Sequence, residues 1–180
     1  MNRLSKAGTD HRKFMRMITV YMDITAPVYW WAEFDTYKVG TVRNSCSFMH
    51  KGLSKEFTIN DFSLKDELIY KILDPSNKRV EFKFTKKLGS ECLLWERIID
   101  QLNYLRSLYL ETEDEQVFQT IRCILPSGYM QKSTVMLNYE VLANMYKSRK
   151  NHKLDEWRDF CKWIDTLPYS ELITGEREVV

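Results

Sequence analysis

Asn138 marks a change of hydrophobic period, and that change constrains the fold of this 180-residue chain more than any other feature. Ahead of it, Ser133-Thr-Val-Met-Leu137 is β-branched and apolar and reads as a strand. Behind it, residues 139–149 read as a helix that Asn138 can cap, with Leu142, Met145 and Arg149 on one face. The unit carries a distinctive polar set: Arg122 ahead of Ile124-Leu-Pro126, then Asn138, Asn144 and Arg149. An arginine that closes an apolar stripe needs a carboxylate or a ligand oxygen. Its planar fork suits phosphate, or a carbonyl that gains negative charge during reaction. Each asparagine offers a donor and an acceptor, as a pyrimidine or flavin edge requires. The purely structural alternative is that Asn138 only caps its helix and Arg149 only pairs with Asp155 or a C-terminal carbonyl.

Other segments extend the pattern. Residues 16–25 read as a strand, and Ala26-Pro27 opens a helix through Trp30, Trp31 and Phe34, since proline is tolerated in a first helical turn. Residues 40–58, with Gly40, Asn44, Ser45, Ser47, Gly52 and Ser54, read mostly as loop. Asn60 or Asp61 can cap a helix to about Leu73 with Phe62, Leu64, Leu68 and Ile69 inward, stopped by Asp74-Pro-Ser-Asn77. Val80, Phe82 and Phe84 alternate with charged residues as in a strand or hairpin arm, and Lys86–Ser90 breaks that pattern. Leu94, Ile98, Leu102, Leu105 and Tyr109 predict a long helix over 91–110, and a shorter one over 113–123 ends before Pro126. Asn151 can cap a last helix with Leu154, Trp157, Cys161 and Ile164 inward, ended at Leu167-Pro168 and followed by a frayed tail over 175–180. Helices outnumber strands and do not alternate evenly with them, which favours an α+β fold in a single domain over residues 1–180.

Bulk properties exclude several classes. A net charge of +2 gives no global argument for binding nucleic acid or a membrane surface. No apolar run approaches the length of a membrane span, and the N-terminus lacks an apolar signal segment. Cys46, Cys92, Cys123 and Cys161 are too scattered for a metal knuckle or a CxxC pair, and read as reduced thiols of a cytoplasmic protein. With only His11, His50 and His152, no metal site is expected. Six glycines leave no phosphate-cradling loop.

The spacing of Arg122 before Ile-Leu-Pro, Asn138 after a strand, Asn144 and then Arg149 resembles the C-terminal half of the flavin-dependent thymidylate synthases. His152 and Trp157-Arg158 look like the family's following segment. The likeness covers roughly residues 9–50 and 91–166, with residues 51–90 as an insert. With Ala26-Pro27 as the family's Ala-Pro, His11 falls on its flavin-side histidine, and Ser47 on its motif serine once a residue is inserted before Asn44. Thr36-Tyr37-Lys38 then stands where the signature has Arg-His-Arg, Ser45 replaces its glutamate, Met49 an arginine and His50 a tyrosine. Asn44, Ser47 and the basic Lys38 are what survives of it.

The resemblance implies a homotetramer with FAD at subunit interfaces, reduced by NADPH, that methylates dUMP or a related pyrimidine nucleotide to dTMP with methylenetetrahydrofolate as carbon donor. It implies that Arg149 is the catalytic residue that polarises the pyrimidine. Arg122, Arg149, Ser47 and Ser45 hold the nucleotide, and His11, Lys38, Asn44, Asn138 and Asn144 hold the flavin. The altered signature keeps a second expectation open, a non-catalytic homologue that binds a nucleotide or flavin. A third and weaker one is a nucleic-acid face built on Lys78, Arg79, Lys83, Lys86 and Lys87.

Overall fold

Pro27 ends one element and begins the next: its ring fixes φ near the helical value and it has no amide hydrogen to leave unpaired in a first turn. The computed structural model describes residues 1–8, 10–46, 48, 52–64, 67–73, 79–85 and 93–175. Strand β1 (Thr19–Pro27) runs directly into helix α2 (Val28–Phe34), with α1 (Asn2–Ser5) and a 3-10 turn (Lys13–Met17) upstream. The expected strand therefore starts later than residue 16, because Lys13–Met17 coils to bury Met15. The backbone divides into two compact units, Met1–Cys46 with Gln131–Val180, and Ser47–Met130.

In the first unit β1, β5 (Met130–Asn138) and β2 (Thr41–Ser45) form a sheet in the order β1-β5-β2. β2 is antiparallel to β5, from Thr41 opposite Leu137 to Ser45 opposite Ser133. Ser133, Val135 and Leu137 on alternate positions of β5 are buried. They face a core built with α2, α5 (Tyr139–Arg149) and α6 (Asp155–Asp165). Trp30, Trp31, Phe34, Leu142, Met145, Trp157 and Ile164 are each at most 2% exposed. Burying each such side chain contributes roughly 1.5–3 kcal/mol. Trp30 and Trp157 meet with ring centroids 4.6 Å apart, which joins α2 to α6.

The second unit holds β3 (Glu67–Leu73), β4 (Arg79–Thr85), α3 (Leu93–Thr112) and α4 (Glu115–Ile124). Its core gathers Leu53, Phe57, Phe62, Leu102 and Ile121, none more than 3% exposed. Asn103 clasps the backbone of Phe57 in both directions, and Arg106 donates to the Leu53 carbonyl. The expected insert over 51–90 falls within this unit.

The α+β class is as expected, and so are the helix after Pro27, the long helix, the helix before Pro126 and the strand–helix junction at Asn138. Three further local expectations are corrected. Residues 41–45 form β2 rather than loop, because the edge of β5 supplies backbone partners to a polar strand. The helix expected from Asn60 to Leu73 is a single 3-10 turn (Ile59–Asp61) followed by β3. Asp61 is consumed in a reciprocal cap with Thr58, and Leu68, Tyr70 and Ile72 pair with Phe84, Phe82 and Val80 of β4. Leu154 rather than Asn151 stands at the N-cap of α6, since the chain extends one turn further before it coils. A short helix α7 (Glu171–Thr174) precedes Gly175, whose left-handed φ of 74° ends it. The expected stop at Asp74–Asn77, the break at Lys86–Ser90 and the tail beyond Gly175 lie outside the described residues. No helix among the described residues is long and apolar enough to cross a membrane.

Candidate functional site

Helix α5 presents its polar residues on two faces, and each face meets a different part of the chain. Asn138 and Arg149 stand about three turns apart on one side, whereas Asn144 points away from both by the 3.6 period. The cap forms as the sequence suggests: Asn138 Oδ1 accepts from Val141 N at 2.9 Å.

Asn138 and Arg149 both reach the connection between α2 and β2. The Asn138 amide donates to the Gly40 carbonyl at 3.3 Å, and its side chain lies against the Gly40 Cα. Gly40 has a φ of +86°, and a Cβ there would stand 2.3 Å from Asn138 Nδ2, so only glycine leaves the amide its place. Arg149 Nε donates to the Tyr37 hydroxyl at 2.9 Å, and its guanidinium lies 4.6 Å from the Trp157 ring centroid. Lys38 is exposed on the same connection.

The fullest contact of Arg149 is one that the sequence does not announce. Its Nη1 donates to Glu33 Oε2 at 2.6 Å, and Trp157 Nε1 donates to the same oxygen at 2.9 Å. His152 Nε2 is 2.9 Å from the same guanidine nitrogen. Glu33, in the last turn of α2, thus gathers a cation, an indole and an imidazole around one carboxylate. The partner expected from sequence for a structural role, Asp155, pairs instead with Arg158.

Asn144 belongs to a second cluster. Arg12 Nη2 donates to Asn144 Oδ1 at 2.7 Å, and His11, the residue before Arg12, is exposed. Glu140 lies between Arg12 and Arg16: Arg12 Nε is 3.8 Å away, and Arg16 Nε makes a short hydrogen bond to it. That bond and the carboxylate's charge hold the Arg16 guanidinium above its ordinary pKa.

The remaining candidates lie apart from these clusters. Asn44 and Ser45 are exposed on β2, opposite Thr134 and Ser133 of β5. Arg122 is exposed in the last turn of α4, in the second unit. Ser47, Met49 and His50 lie outside the described residues.

Sequence reasoning missed Arg43. Its Nε donates to buried Ser133, Nη1 to Asp35 and Nη2 to Gln131, and the guanidinium lies 3.9 Å from the Trp31 ring centroid. A lone arginine amid serines and asparagines gives no local signal of such a bed.

No family model matches the chain, and no curated protein does. Solved structures match it along nearly all its length. Thymidylate Synthase X (ThyX) from Helicobacter pylori with FAD and dUMP aligns over 97% of this chain and 79% of that one, with a TM-score of 0.60 at 15% identity. A second structure, flavin-dependent thymidylate synthase ThyX from Helicobacter pylori complexed with FAD and dUMP, covers 93% of this chain and 84% of that one, with a TM-score of 0.53 at 14% identity. The fold of this chain is that of the flavin-dependent thymidylate synthases.

Proposed function

We propose that the chain binds a flavin and a pyrimidine nucleotide and methylates dUMP, or a closely related nucleotide, with methylenetetrahydrofolate as carbon donor and NADPH as reductant. The observation that carries this reading is the meeting of Asn138 and Arg149 at the Tyr37–Gly40 connection, on a fold shared with proteins solved with FAD and dUMP. The amides suit a flavin. Asn138 Oδ1 is spent on the helix cap and Asn144 Oδ1 on Arg12, so each has its Nδ2 donors left for the acceptor edge of a ring. His11, Lys38 and Asn44 would complete the flavin contacts. Bound FAD would supply the redox chemistry of the transfer.

The chain's own residues would do the rest. Arg149 would polarise a pyrimidine carbonyl with a fixed positive charge, held in orientation by Glu33, Tyr37 and Trp157. Arg122 would bind the phosphate side, and Ser45 and Ser47 the nucleotide. The working assembly would be a homotetramer.

One observation favours a second reading, a homologue that binds the ligands without turnover. Nη1 and Nε of Arg149 are already engaged by Glu33 and Tyr37, and Glu33 balances the charge that catalysis would use.

The test is an absorbance spectrum of the purified protein before and after addition of FAD and dUMP. A flavin band that shifts with the nucleotide supports one shared site, and Arg149→Ala is then expected to abolish the shift while leaving the fold intact. No flavin bound at micromolar protein sinks both readings. Turnover with NADPH and methylenetetrahydrofolate separates them.

A further inference from the structure

A cleft of about 360 Å³ opens in the first unit between α1, α5 and α7. Its rim carries four cations, Lys6, Arg12, Lys147 and Lys150, and no carboxylate is among its lining residues. Its floor includes Leu172 and Ile173, which are 5% and 7% exposed. Among the described residues no carboxylate lies within ion-pair distance of Lys6, Lys147 or Lys150. Among the described residues Arg12 has one carboxylate within ion-pair distance, Glu140 at 3.8 Å.

Helix energetics explain part of this arrangement. Lys147 and Lys150 close α5, where positive charge favours the helix dipole. Lys6 stands at the C-cap of the short α1 as Lys150 does on α5, but Arg12 has no such role: it precedes the 3-10 turn and still lines the same opening. Concentrating like charges around a concave, partly apolar wall raises their mutual repulsion and focuses their field into the cleft. A dianion of matching size relieves that repulsion, and the apolar floor accepts carbon rather than water.

We propose that this cleft binds a small organic phosphate, its phosphate among Lys6, Lys147 and Lys150 and its carbon skeleton against Leu172 and Ile173. The volume lies in the range of small-molecule sites. Inorganic phosphate satisfies the charges but leaves the apolar floor wet, so the organic part adds affinity. The phosphate position does not involve Arg149, although the cleft shares Arg12 with the Asn144 cluster.

The experiment is isothermal titration calorimetry of the full chain with phenyl phosphate and, separately, inorganic phosphate. One saturable site for phenyl phosphate is expected, at least about tenfold tighter than for inorganic phosphate. The Lys147→Gln/Lys150→Gln double variant is expected to weaken it about tenfold or more, with its thermal midpoint and any flavin band unchanged. Arg149→Ala is expected to leave it unaltered. No saturable heat by about 10 mM ligand overturns the proposal, as does wild-type affinity in the double variant. Equal affinity for both probes overturns the organic part. Phenyl phosphate binding without flavin binding fails only the functional reading, and the converse fails only this one.

Discussion

Arg149 and Glu33 join the last residue of α5 to the last turn of α2 through a 2.6 Å charge-assisted hydrogen bond between residues 116 apart in sequence. The same carboxylate oxygen receives the Trp157 indole, so α2, α5 and α6 are tied at one atom. The relationship gives Arg149 its orientation whether or not a ligand follows.

Glu33→Ala removes the acceptor for both donors. The expected loss is about 1–3 kcal/mol, towards the lower end because the Glu33 side chain is 36% exposed. Glu33→Gln keeps one acceptor oxygen and costs less. Urea unfolding of the three proteins checks the order, and equal midpoints would show that the clamp contributes nothing to stability.

Gly40 and Asn138 should be energetically coupled. Gly40→Ala places a Cβ 2.3 Å from Asn138 Nδ2 at a left-handed φ, with an expected cost of about 1–3 kcal/mol. Asn138→Ala loses the cap on α5, at about 1 kcal/mol. In the double variant the clash has gone, so its cost should fall below the sum of the singles. Strict additivity in denaturant titrations would refute the contact.

Arg43→Lys should destabilise the first unit by about 1–2 kcal/mol although it conserves charge. Lysine has no planar fork to reach Ser133, Asp35 and Gln131 while stacking on Trp31. A thermal midpoint equal to that of the parent would mean that only charge matters there.

Cys161 is 3% exposed, and burial pushes its thiol up to about 11, with Asp165 adding to the effect. The folded state therefore keeps this proton where the unfolded thiol, near 8.5, has lost it. The resulting stability is fully present below pH about 8.5 and is lost as the pH rises towards 11. Peptide mapping after treatment with a thiol reagent at neutral pH should find exposed Cys123 labelled and Cys161 protected until the chain unfolds. Rapid labelling of native Cys161 would contradict its burial.

Much of the fold was legible where the signal is local. Asn138 caps the helix that its position suggests, Pro27 begins α2, and the apolar periods of α3, α5 and α6 match the faces that they bury. Strands β2 and β3 were not legible. A polar run such as Thr41–Ser45 becomes a strand only because β5 offers an edge, and Glu67–Leu73 has helix and strand periods of similar strength until β4 pairs with it.

The candidate site divides in the same way. The sequence shows that Arg149 ends an apolar stripe and so needs a partner, and that Asn138 and Asn144 carry amides on one helix. It does not show that the partner is Glu33, that Arg12 meets Asn144, or that Arg43 lies on Trp31. Caps, periods and helix stops depend on atoms a few residues apart, so the sequence by itself determines them. Which carboxylate meets which guanidinium depends on where the backbone brings distant segments together, and packing of the core around Trp30 and Trp157 decides that.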